Sequence, residues 1–125
     1  MAGNDKWYES LISTPNAKEA RQWIRTCRKR GFAMVTLGKL DSMDESLALV
    51  EEGYAAGAVR VTAVEIEDYP DIMGGMQTTS RLVVTLPDAP AKRVKTLAWA
   101  GKVAEEQGFD AETDIGQRYL FLFFD

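Results

Sequence analysis

Apolar positions early in the chain recur at helical steps. Ala20, Trp23, Ile24 and Cys27 lie three and four residues apart and share one face of a helix, while Arg28, Lys29 and Arg30 suit the negative end of its dipole. Pro15 bars a helix from running through from upstream, Asn16 and Glu19 have the spacing of a capping box, and Gly31 supplies a stop. The pattern predicts a helix over residues 17–30. From Phe32 to Leu37 the chain is apolar on both faces, as in a buried strand, and Gly38 ends the run. Ser42 and Glu45 form a second capping box ahead of Leu47, Val50 and Tyr54, with Gly57 placed as a C-cap. Val59 to Glu67 and Arg81 to Leu86 are rich in β-branched residues and predict the arms of a long hairpin, joined by a loop from Asp68 to Thr78. Asp88 is placed to cap a further helix with Val94, Leu97, Ala98, Gly101 and Ala104 on one face and Gly108 at its end. The last strand runs from Gln117 to Phe124.

The resulting order, one helix and then βαββαβ, predicts an α+β fold. Its expected form is a ferredoxin-like βαββαβ sandwich, four antiparallel strands with two helices on one face and an extra N-terminal helix. Residues 1–31 are expected to be a basic helical extension packed on the body, and residues 32–125 the βαββαβ domain. A chain of 125 residues suits one core. In the last strand Leu120, Leu122 and Phe124 alternate with Tyr119, Phe121 and Phe123, so both sheet faces are apolar. The helices of this fold cover one face. The second aromatic row therefore needs its own cover: the N-terminal helix through Trp23 and Ile24, a second copy of the protein, or a planar ligand, in that order.

Charge is unevenly distributed within a net of −4. Residues 1–40 hold eight Lys or Arg against three acids, and residues 41–125 hold seven against sixteen. The first expectation is that the basic segment lies on its own acidic body. Arg30 to Leu37 overlaps much of the consensus that RNA recognition motifs carry on their third strand, but Met34 and Leu37 stand where aromatics should stack bases. The segment also precedes the first helix of the domain, and the acidic body would repel phosphate, so nucleic acid is a minority reading carried by the basic helix.

No His is present, which removes the commonest general base, the usual catalytic triads and most transition-metal sites. The single Cys27 lies on the apolar stripe of its helix and is read as core. Asp110, Glu112 and Asp114 alternate like calcium ligands, yet Gly116 falls one place late and Phe121 stands where the terminal Glu belongs. Gly38-Lys39 lacks the glycine of a phosphate loop five residues earlier. No metal or cofactor is expected. With one Cys, no apolar leader in MAGNDKWYES and no apolar run long enough to span a bilayer, the expectation is a cytoplasmic protein without membrane contact.

One helix breaks the dipole rule: Lys92, Arg93 and Lys95 sit in its first turns and Glu105 and Glu106 in its last. Two accounts follow. The first is that the two helices run side by side in the same sense, so that Asp41, Asp44 and Glu45 pair with these cations; the second is that Lys92, Arg93 and Lys95 form a pocket for a small anionic ligand. The loop Asp68–Thr78 offers Ile72, Met73 and Met76 as adaptable contacts. The first expectation for function is a non-enzymatic regulatory or interaction domain. It would act by homodimerisation or by binding another protein, through Tyr119, Phe121, Phe123, Ile72, Met73 and Met76. A small-anion sensor or His-free enzyme is the alternative, with RNA binding through the basic helix third.

Overall fold

The computed structural model describes residues 4–32, 34–38, 42–72 and 74–124. It is an α+β fold of four helices and two sheets among those residues. The strand order differs from the ferredoxin-like order expected. One sheet runs β1 (Lys18–Glu19), β3 (Arg60–Ala63), β6 (Arg81–Thr85), β7 (Tyr119–Phe123), antiparallel throughout. The other runs β2 (Met34–Leu37), β5 (Met76–Thr79), β4 (Glu67–Tyr69). β2 is parallel to β5, so the first strand expected in the four-stranded sheet belongs to the smaller one. The expected hairpin forms over a shorter first arm, Arg60–Ala63, with Val61 opposite Val84 and Ala63 opposite Leu82, and Glu67, expected in that arm, belongs to β4 of the other sheet. Its connection is not a plain loop: residues 67–79 fold into a second hairpin, β4–β5, whose arms pair Asp68 with Gln77.

Helix α2 (Ala20–Lys29) starts three residues later than its pattern suggested. Lys18 and Glu19 pair with Ala63 and Thr62, and the Glu19 carboxylate then caps the helix by accepting from the N–H groups of Arg21 and Gln22 at 3.2 and 2.6 Å. A sheet partner thus moved the cap from Asn16 to Glu19. Helix α3 (Met43–Ala56) has the capping expected, with the Ser42 hydroxyl accepting from Glu45 N–H at 3.1 Å and Gly57 in the left-handed region.

Helix α4 (Pro90–Glu106) has no side-chain cap from Asp88; Ala89 is its N-cap and Pro90 its first residue. Its buried face is also rotated from the stripe expected: Val94 is 66% exposed, while Thr96, Ala100, Gly101 and Val103 are buried. The cause is its contact with α3. Gly53 faces the Trp99 indole, the Ala56 carbonyl accepts from the Thr96 hydroxyl, and Gly57 lies beside Lys92. Later residues of α3 meet earlier ones of α4, so the helices run antiparallel, not in the same sense.

Two apolar clusters result. The main core joins α2 (Ala20, Trp23, Ile24, Cys27), α3, α4 and both sheets through Val35, Leu37, Val61, Leu82, Leu120, Leu122 and Phe124. The second lies on the other side of the four-stranded sheet, where Val64, Val83 and Tyr119 are covered by α1 (Asp5–Ile12) through Tyr8, with Leu11 and Ile12 at its margin. This short helix was not expected from sequence. It is the cover that Trp23 and Ile24 do not provide, because those residues face the opposite core. Among the described residues no helix is long and apolar enough to cross a membrane.

Candidate functional site

The aromatic row of β7 is built into the fold. Tyr8 stacks on Phe121 with ring centroids 5.5 Å apart and planes 7° from parallel, and Trp7 packs on the same ring at 5.5 Å. Phe123 meets Phe109 edge-on at 5.4 Å. Tyr119 is buried and Phe121 and Phe123 are half-buried. Backbone bonds from Leu86 to Arg118 and from Phe124 to Ser80 turn the even-numbered residues of β7 toward β6, so Tyr119 and Phe121 present their N–H groups to the outer edge. Carboxylates occupy that edge. Asp5 accepts from Arg118 and Tyr119 N–H at 2.8 and 3.3 Å, and Glu112 accepts from Phe121 N–H at 3.0 Å. Burial pushes the Glu112 carboxyl above its ordinary value, the Phe121 N–H opposes this, and the charge of Asp5 adds to it. Both acids serve to close an edge strand that would otherwise offer free backbone groups.

The cations at the start of α4 are divided. Arg93 donates to Asp114 at 2.8 Å and to the Gln117 carbonyl at 2.7 Å, and its side chain is only 15% exposed. The Arg93 guanidinium and the Gly116 N–H hold the Asp114 carboxyl below its ordinary range. Lys92 and Lys95 are exposed, with Lys92 beside Gly57 where the C-terminal carbonyls of α3 favour a cation. Asp44, expected near these residues, instead pairs with Arg28, and Asp41 and Lys39 lie outside the described residues. Asp114 and Glu112 are thus committed to Arg93 and Phe121, and no group of residues suited to a metal occurs among those described.

The basic helix lies against acids of its own chain. Arg21 binds Glu51 through two nitrogens, at 2.6 and 3.1 Å, Arg25 reaches the same carboxylate at 3.4 Å, and Arg28 takes Asp44. Arg21 also stands 4.1 Å above the Tyr54 ring, whose hydroxyl donates to Glu19. These contacts pair Arg21, Arg25 and Arg28, while Lys29 and Arg30 at the end of the helix form no ion pair among the described residues.

The β4–β5 hairpin has the opposite character. β4 is the outer strand of its sheet, all three of its residues are exposed, and among the described residues no strand pairs on its far side. Glu65, Glu67, Asp68 and Asp71 make this edge acidic, and only Glu65 has an ion-pair partner, Arg81, among the described residues. Tyr69 and Ile72 are exposed beside it, Met76 is half-buried, and Met73 lies outside the described residues. A cleft of about 300 Å³ separates Pro15, Asn16 and Lys18 from Ile66 and Asp68.

A larger groove, about 480 Å³, follows α2 and is lined by residues that sequence reading did not single out together: Lys18, Gln22, Arg30, Arg60 and Gln77, with Trp23 and Cys27 beneath. Gln77 is fixed there. Its carbonyl oxygen accepts from the Trp23 indole at 2.8 Å and the Cys27 thiol at 3.3 Å, and its amide donates to Asp68 at 3.3 Å. Burial raises the Cys27 thiol above its ordinary value, against the lowering effect of Arg30 and with the charge of Asp68 adding to the rise. A charge count by residue names the cations, but not which of them stay unpaired or that β1, α2 and β3 bring three of these together. No family model, curated protein or solved structure matches the chain.

Proposed function

We propose that this domain is a non-catalytic binding module that takes an extended, basic segment of another protein as a fourth strand beside β4. The observation that carries the reading is the open, wholly exposed outer edge of β4. A strand edge offers backbone N–H and C=O groups that an incoming segment can pair with, and neighbouring side chains then set specificity. Tyr69 and Ile72 supply apolar contact, and Glu67, Asp68 and Asp71 supply negative charge. The same charges argue against a second copy as the occupant. In an antiparallel pairing centred on Asp68, each Asp68 would face its own counterpart, and like charges directly opposite are destabilising. A Lys-bearing strand meets no such penalty, although each exposed ion pair adds only about 0.2–1 kcal/mol.

A synthetic peptide of alternating Lys and Val tests the chemistry by two-dimensional NMR of the labelled protein. Saturable shifts confined to residues 66–72, lost in a Glu67→Lys, Asp68→Lys variant and absent with a Glu-Val peptide, are expected. Shifts that persist in that variant, or no shifts at millimolar peptide, would refute the reading. A dimer in native mass spectrometry whose dissociation on dilution moves the same resonances would replace the basic partner with self-association.

A further inference from the structure

Most arginines of this chain are neutralised by a carboxylate: Arg21, Arg25, Arg28, Arg81 and Arg93 all form ion pairs. Among the described residues Arg30, Arg60 and Arg118 do not, and two of these three line the groove along α2 together with the equally unpaired Lys18. Independent elements carry them: Lys18 is on β1, Arg30 follows α2 and Arg60 opens β3. We infer that this groove is a binding site for a small organic phosphate. The inference does not depend on strand addition at β4.

Three features support it. The lining holds three cations against one carboxylate, Glu19, whose oxygens are taken up by the N–H groups of Arg21 and Gln22 and by the Tyr54 hydroxyl. The floor is mixed in character, with buried Trp23 and Cys27 hydrogen-bonded to Gln77, which suits an apolar body attached to the anionic group. Arg30 is steadied by stacking its guanidinium 4.9 Å from the Phe32 ring centre, which leaves its N–H groups free to donate. Guanidinium groups bind phosphate oxygens through paired N–H donors, and a groove of this volume is in the range that holds small ligands.

The test uses phenyl phosphate, followed by two-dimensional NMR at constant ionic strength. Saturable shifts at residues 18, 22, 26, 30 and 60 are expected, with affinity about tenfold or more weaker in an Arg30→Gln, Arg60→Gln variant, as loss of charged hydrogen bonds implies. An Arg118→Gln variant, which removes an unpaired arginine outside the groove, should bind as the unaltered protein does. Thermal melts of both variants verify that they remain folded. The inference fails if no saturable shift appears, if Arg118→Gln weakens binding equally, or if phenol binds as well as phenyl phosphate.

Discussion

Replacing Tyr8 by Ala tests whether α1 is the cover of the second sheet face. Tyr8 is 7% exposed, and it stacks on Phe121 and packs with Val64, Val83 and Tyr119. Burying an aromatic side chain removes roughly 150–250 Å² from water. At about 25 cal/mol per Å² that is roughly 4–6 kcal/mol, and residual compaction of the unfolded chain trims it by about 10–40%. A loss of about 3 kcal/mol is therefore expected, at the low end for aromatic-to-Ala changes because this cluster lies near the surface. The helix has eight residues, too few to persist unaided, so losing its anchor should free the whole element. The Asp5 bonds to Arg118 and Tyr119 N–H would go with it. In urea the midpoint should fall by about 1–2 M. Hydrogen exchange should quicken at Arg118 and Tyr119 while Leu120 and Leu122, paired to β6, stay protected. A change under about 0.5 kcal/mol with unaltered exchange at Arg118 and Tyr119 would refute the assignment of α1 as the cover.

Other substitutions probe the remaining contacts. Glu19→Ala removes the cap of α2 and the acceptor of the Tyr54 hydroxyl, and should cost about 1–2 kcal/mol in thermal or urea unfolding. A methyl on Gly53 would fall 2.6 Å from the Trp99 ring, so Gly53→Ala should give a net loss of about 1–2 kcal/mol despite better helix propensity, with altered tryptophan fluorescence. Asp114 has a depressed folded pKa, so its contribution is present above about pH 4 and is lost as pH falls through the folded value; Asp114→Asn should flatten that acid limb in urea midpoints. Glu112 has the opposite sign: its contribution is complete below about pH 4 and is lost as pH rises through the elevated folded value. Glu112→Gln, which keeps an acceptor for Phe121 N–H, should therefore be at least as stable at neutral pH, whereas Glu112→Val should be less stable.

Elements with their own punctuation were legible in the sequence. Ser42, Glu45 and Gly57 bound α3 through contacts within a few residues, and the β-branched runs of β3 and β6 pair as their composition suggests. The aromatic alternation of β7 correctly implied a second covered face. What covers it was hidden, because α1 spans only two turns and its anchor, Asp5, meets Arg118 across 113 positions of chain. Partition of the strands into two sheets and the antiparallel course of α3 and α4 were equally beyond local reading. The reversed charges of α4 illustrate the difference. The sequence showed that Lys92 and Arg93 oppose their own helix dipole, but their actual neighbours, the C-terminus of α3 and Asp114, depend on the path of the chain. Periodicity and capping are local properties, so residue order alone determines them. Which cation meets which acid, and which three are left to line one groove, follows from packing between distant segments, which only the tertiary structure decides.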